Sequence, residues 1–357
     1  ELAPSDVATL DERGVVHASR GDFDLAFADF DRAIALGPEF AETYSNRGHA
    51  FLLLRQYDKA IEDFDRSIAL APDLAPALSN RGHALVLTGQ PGRGLEDLDK
   101  SLALDPDNAI TLTNRSRAYI ALGRLPEALA DTDKAVLLDP AYAGAYTSRG
   151  LAYRGQGKAE RAILYFDVAI ALLPDNAETH FLKGAALADL DRHEAAIAAY
   201  GTAIGLSPND PAAYYNRALE HTAAGNLAAA VEDFGKVLAL DPRDWEARLQ
   251  RGNVLFRQGD IERGEADFAA AEDLAVDKTA MLNARGYFNL WNNRAGEAIA
   301  DFEAAVALAP EDSAVAHSLG EGYFRAGRTE DAHRQWRAAC DLASADMRLT
   351  WQTSLAK

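Results

Sequence analysis

Residues 41–72 read AETYSNRGHAFLLLRQYDKAIEDFDRSIALAP. From Ala41, apolar or small residues fall at Tyr44, Gly48, Phe51 and Leu52, spaced by three and four as on one face of a helix. Arg55–Gln56 break that stripe. A second stripe runs through Ala60, Ile61, Phe64, Ile68 and Leu70 until Pro72, which has no amide proton and clashes with the preceding turn. The segment predicts two antiparallel helices joined by a short turn.

The same sentence is written along the whole chain. Proline recurs every 34 residues at Pro4, Pro38, Pro72, Pro106, Pro140, Pro174, Pro208, Pro242 and Pro310, and the series lapses only at Val276 and Ser344. Where Arg55 stands, most units carry a helix-ending glycine instead: Gly21, Gly89, Gly123, Gly157, Gly225, Gly259 and Gly327. Small residues mark the predicted helix crossing, as at Gly48 and Ala60. Phe30, Phe64, Phe166, Phe234, Phe268 and Phe302, with Tyr200 and Trp336 in matching places, supply the bulk between the helices. A fixed period of this size marks a stacked array, because each unit leaves an apolar face that only a neighbour covers.

This order of residues resembles the tetratricopeptide repeat (TPR) family: an aromatic or Leu near the first turn, a small residue four on, then Ala, an aromatic, a small residue and Pro. The resemblance spans 5–344, which is 340 of the 357 residues. It implies an all-α fold, a right-handed α-α superhelix of ten helix-turn-helix repeats, with first helices lining a concave groove. No insertion interrupts the period, so 1–357 reads as a single array. Met347, Trp351 and Leu355 lie four apart, as expected of a capping helix over about 345–357.

The totals narrow the function. A formal charge of −19 argues against nucleic acid and against an anionic membrane surface. A neutral or basic protein segment is accommodated more easily. No apolar stretch is long enough to cross a bilayer. Cys340 is the single cysteine, so no internal disulfide is possible. The chain begins at Glu1 without a methionine, as expected of a processed or excised product. Gly157–Lys158 lacks the earlier glycine and the Ser/Thr of a phosphate loop, His193–Glu194 lacks the second histidine of a zinc helix, and no nucleophile–base set recurs. The reading is a non-enzymatic scaffold with no cofactor and no metal. Alternatives are a self-associating assembly platform, or the repeat portion of a longer cell-envelope protein. Trp351–Gln352–Thr353–Ser354–Leu355 resembles the opening helix of a peptidoglycan-binding module, which places such a parent in a bacterial envelope.

Two residue series stand out. The family usually has an aliphatic residue before the first-helix glycine, but here Arg13, Arg47, Arg81, Arg115, Arg149, Arg217, Arg251 and Arg285 occupy it, with Lys183 in the sixth unit. Aspartate precedes the second-helix aromatic at Asp29, Asp63, Asp97, Asp131, Asp233, Asp267 and Asp301, leaving Arg149 as the one mismatch. Partly buried Arg–Asp pairs between the helices, such as Arg47 with Asp63, are expected. Asparagine precedes the arginine at Asn46, Asn80, Asn114 and Asn216. This series resembles the asparagine ladder of the O-linked N-acetylglucosamine transferase superhelix, which implies a grip on peptide backbone, since an amide offers a donor and an acceptor to one peptide unit. His49 and His83 follow on the same face, as donors, pH-sensitive contacts or merely solvated side chains. In later units the groove positions turn aromatic, at Phe181, Tyr215, Phe256, Tyr287, Trp291 and Phe324; such rings are either binding anchors or core. The basic residues of a chaperone-tail clamp are replaced by Asp11, Glu42, Ser45, Pro76 and Ser79.

Overall fold

The computed structural model describes residues 6–343. Its helices are α1 (Val7–Ser19), α2 (Phe23–Leu36), α3 (Ala41–Leu53), α4 (Tyr57–Leu70), α5 (Ala75–Leu87), α6 (Pro91–Leu104) and α7 (Ala109–Ala121). They continue as α8 (Leu125–Leu138), α9 (Ala143–Gly155), α10 (Ala159–Leu172), α11 (Ala177–Ala188), α12 (His193–Leu206), α13 (Pro211–Ala223) and α14 (Leu227–Leu240). The last are α15 (Trp245–Gln258), α16 (Ile261–Leu274), α17 (Lys278–Trp291), α18 (Ala295–Leu308), α19 (Ser313–Arg325) and α20 (Thr329–Leu342). No strand occurs among the described residues. The expected capping helix and the Trp351 segment lie outside them.

The chain divides between Leu190 and Asp191 into two compact units. Each is built of helix pairs on the same plan, and the 34-residue register of the first helices, for example Ala75, Ala109 and Ala143, reappears in the second unit at Pro211 and Trp245.

A close contact between the two helices recurs in most repeats. In the second repeat, a Cβ on Gly48 would stand 2.9 Å from the Phe64 ring, which is fully buried. Glycine inside a helix costs about 1 kcal/mol against alanine; here it lets the ring pack closely against α3. The turn inside each pair needs a left-handed residue. The seven turn glycines have φ between 72° and 85°, and Arg55, Asp191 and Asn293 take the same conformation in the three units without one. The missing proline at Val276 does not lengthen α16, which stops at Leu274; Val276 is almost fully exposed and Asp277 caps α17 by accepting from the Ala280 amide.

All seven expected Arg–Asp pairs form. Arg47 donates from Nε and Nη2 to the two oxygens of Asp63 at 2.8 and 2.6 Å, and the same fork joins Arg13 to Asp29, Arg81 to Asp97, Arg115 to Asp131, Arg217 to Asp233, Arg251 to Asp267 and Arg285 to Asp301. Each aspartate is buried while its arginine is partly exposed. Burial pushes the Asp63 carboxyl up, and the hydrogen bond from Arg47 opposes it. The exceptions are instructive. Arg149, facing Tyr165 instead of an aspartate, lays its guanidinium 4.6 Å from that ring centre. In the tenth repeat both charges are gone, and Leu319 is buried in their place.

Candidate functional site

In the first unit, α3, α5, the end of α6 and the start of α7 enclose a cleft of about 380 Å³. Ser45, Asn46, His49, Ser79, Asn80 and Thr111 are among its walls. The helices stack with their small polar residues facing one another, and hydroxyls bridge them. Thr111 Oγ1 donates to Ser79 Oγ at 2.9 Å, and the Thr147 and Thr179 hydroxyls meet at 3.1 Å.

These bonds decide what the expected asparagine ladder can offer. Asn46 is half-buried and donates from Nδ2 to Asp11 Oδ2 at 2.9 Å. Asn114 is buried and donates to Ser79 Oγ at 3.3 Å. Asn216, in the second unit, turns back to the Ala212 carbonyl of its own helix at 2.8 Å. Asn80 is half-buried at the cleft wall, and its amide forms no hydrogen bond among the described residues. The structure thus separates one amide with no hydrogen bond from three that each give up an N–H. The two histidines also part company. Desolvation lowers the pKa of both, but His49 is exposed, whereas His83 is half-buried, its Nε2 is buried without a hydrogen-bond partner, and its pKa is held down to about 4. His83 is therefore neutral near pH 7 and is not the solvated side chain that the sequence allowed.

The six aromatic positions divide in the same way. Phe256 is buried, 5.0 Å from Phe268 and beneath the Arg294 guanidinium. Its ring is consumed by the core and offers no face to a ligand. Tyr215 is half-buried edge-on to Phe234 at 5.6 Å, and burial pushes its phenol up to about 12. Tyr287 meets Ser318 Oγ at 3.0 Å and turns an edge to Phe302, and Phe324 packs on Trp336 at 5.5 Å. Phe181 is half-buried in α11. Trp291 alone of the six is largely open, at 65% exposure. It borders a second cleft of about 460 Å³, within the second unit, whose walls include Gln250, Asn253 and Arg257. Gln250 stands where the asparagine series lapses, and the 34-residue register gives the places of Asn253 and Arg257, which their residue types alone do not single out.

Repeat-family profiles match along the chain. Profiles described as "Tetratricopeptide repeat" cover residues 41–74 and, for a second profile, 147–211, 215–277 and 249–313, and one described as "TPR repeat" covers 117–157. The chain belongs to the tetratricopeptide repeat family. No curated protein matches it in sequence. Among solved structures, yeast Tom70 is similar over 98% of this chain and 95% of that one, at 15% identity and a TM-score of 0.50. The Cut9–Hcn1 hetero-tetramer of the APC/C is similar over 98% of this chain and 84% of that one, at 16% identity and a TM-score of 0.51. These likenesses establish the TPR solenoid fold. Arrays of this kind are, as a class, protein-interaction scaffolds that use extended surfaces. Among the described residues there is no cluster of His, Cys, Asp and Glu fit to hold a metal, and no helix long and apolar enough to cross a membrane.

Proposed function

We propose that this TPR chain is a non-catalytic scaffold that holds an extended segment of a partner protein in the first-unit cleft. The observation that carries the reading is Asn80. Its amide stands at the wall of a polar cleft with donor and acceptor both uncommitted, while the equivalent amides of Asn46 and Asn114 each give an N–H to a neighbouring side chain. One amide matches one peptide unit, and exposed His49 adds a second polar contact nearby. A preformed cleft avoids the ordering cost that a flexible receptor would incur. With a net charge of −19, a neutral or basic segment is favoured there.

The test is affinity capture from native lysate with wild-type protein, Asn80→Ala and Asn46→Ala, each shown to melt normally. Loss of a captured partner with Asn80→Ala supports the reading. Equal capture by all three removes the first-unit cleft as the site. Recovery of the protein alone, with light scattering that rises with concentration, supports the self-assembling platform instead.

A further inference from the structure

We propose that the second unit carries a separate docking ridge, Arg257–Trp291–Arg325, for an extended acidic peptide with an apolar residue midway between two side-chain carboxylates. The three residues occupy one register, 34 apart, in the last turns of α15, α17 and α19. All three are exposed. In the first unit the same register holds Ser19, Leu53, Leu87, Ala121, Gly155 and Asp189, with no cation among them.

Charge points to the occupant. The seven arginines of the inter-helix rhythm are each forked onto a buried aspartate, but Arg257 and Arg325 form no ion pair among the described residues. The cleft beside Trp291 has Arg257 as its charged wall residue; the others are Thr222, Gln250, Asn253, Phe288 and Asn292. In a chain with 55 acidic and 36 basic residues, this cleft has one cation and no carboxylate in its lining. The indole is not a stray surface ring. Phe288 and Tyr287 support it at centroid distances of 5.4 and 6.2 Å, leaving the remainder open as a platform.

Spacing then sets the length. Neighbouring packed helices lie about 8–10 Å apart, so Arg257 and Arg325 stand about 16–20 Å apart with Trp291 between them. An extended chain advances about 3.3–3.6 Å per residue. Two carboxylates about five or six residues apart therefore reach both guanidinium groups while a central apolar side chain lies on the indole. The ridge does not depend on the Asn80 cleft, and either site can fail without the other.

Purified full chain is titrated with a synthetic peptide, acetylated and amidated, carrying glutamates six residues apart and a phenylalanine midway. Calorimetry gives the affinity, and tryptophan emission gives the site. The expected result is saturable binding with an emission change, lost with Trp291→Ala and weakened about tenfold by Arg257→Gln or Arg325→Gln, the factor expected for one charge-assisted contact of about 1.4 kcal/mol. A peptide with glutamines in place of glutamates, or with the glutamates adjacent, should bind at least tenfold more weakly. Equal binding of the glutamine peptide, or unchanged binding by the doubly substituted Arg257→Gln/Arg325→Gln chain, overturns the proposal. So does tighter binding of a single-stranded oligothymidylate, since indole and guanidinium groups also stack on bases. The substituted residues are exposed, so circular dichroism melts should match wild type.

Discussion

The two units use the same arginine differently. In the first, the guanidinium that forks onto its own repeat's buried aspartate also reaches back to the second helix of the preceding repeat. Arg47 Nη1 meets Asp31 at 2.6 Å, Arg81 meets Asp65 at 2.6 Å and Arg115 meets Asp99 at 2.7 Å. Arg149 keeps this outer link to Asp133, and Lys183 keeps it to Asp167. In the second unit the register puts Gly201, Gly235 and Ala269 at those places. Arg217 and Arg251 retain only the inner aspartate, while Arg285 takes Glu272 instead. The inner pair closes one repeat and the outer pair joins it to the one before. In an array whose stability is roughly a sum of repeat and interface contributions, the first unit has an ionic link at its interfaces that the second mostly lacks.

The largest effect should come from breaking the inner pair, which both units share. Arg81→Ala leaves Asp97, only 4% exposed, without its cation, and Arg251→Ala does the same to Asp267. Removing one partner of a buried pair costs about 3–5 kcal/mol. Urea melts can assign the loss, because every tryptophan (Trp245, Trp291, Trp336 and Trp351) lies after Asp191. Tryptophan emission follows the second unit, and far-ultraviolet circular dichroism follows both. A cost below about 1 kcal/mol for either substitution would show that the buried aspartate is content without its arginine.

A second, smaller effect separates the groove floors. His83 and Asn253 share a register position, and Asn253 does not titrate. His83 is held near pKa 4 by desolvation when folded, against about 6.5 in an unfolded chain. A lowered folded pKa means that the unfolded state takes up the proton first, so stability is lost as pH falls through the unfolded value. Between pH 7.5 and 5 the loss should be about 2 kcal/mol. His83→Asn should abolish that part of the pH dependence in circular dichroism melts. An unchanged pH profile would mean that the imidazole is hydrated in the folded protein.

Much of this was legible because the pattern repeats. A single glycine sixteen residues before a phenylalanine means little; Gly48–Phe64, Gly252–Phe268 and Gly286–Phe302 together fix where two helices cross. The Arg–Asp fork was legible by the same offset. The outer link is written in the same offset, since Asp65 lies sixteen residues before Arg81, but it joins two repeats and shows only when neighbours are aligned. The site was harder to read for a physical reason. An asparagine facing a groove and one spent on a neighbour are alike in sequence, and only the positions of Asp11 and Ser79 distinguish Asn46 and Asn114 from Asn80. Likewise Phe256 and Trp291 both sit on first helices, but a fraction of a turn sends one ring under Arg294 and leaves the other open. Periodicity gives the face of a helix; it does not give the rotamer or the partner.

The smallest effect is the sharpest test of the comparison, because it adds the missing link. A Cβ built on Gly235 would have only Arg251 Nη1 near it, at 4.0 Å, so a short side chain fits and points toward the guanidinium. Gly235→Asp recreates in α14 the arrangement of Asp65 and Arg81. Gly235→Asn has the same shape without the charge, so comparing the two removes the helix-propensity gain that any residue has over glycine. The aspartate should be the more stable by about 0.5 kcal/mol, as expected for a partly exposed pair. The difference should vanish in 1 M salt, where the screening length is about 3 Å. The reverse change, Asp65→Asn in the first unit, should lose a similar amount with the same salt dependence. If Gly235→Asp matches Gly235→Asn while Asp65→Asn is costly, the outer link needs more of the first unit than its two charges. If neither changes stability, the two units are held together internally by the same packing, and the extra aspartates serve only to solvate the outer surface.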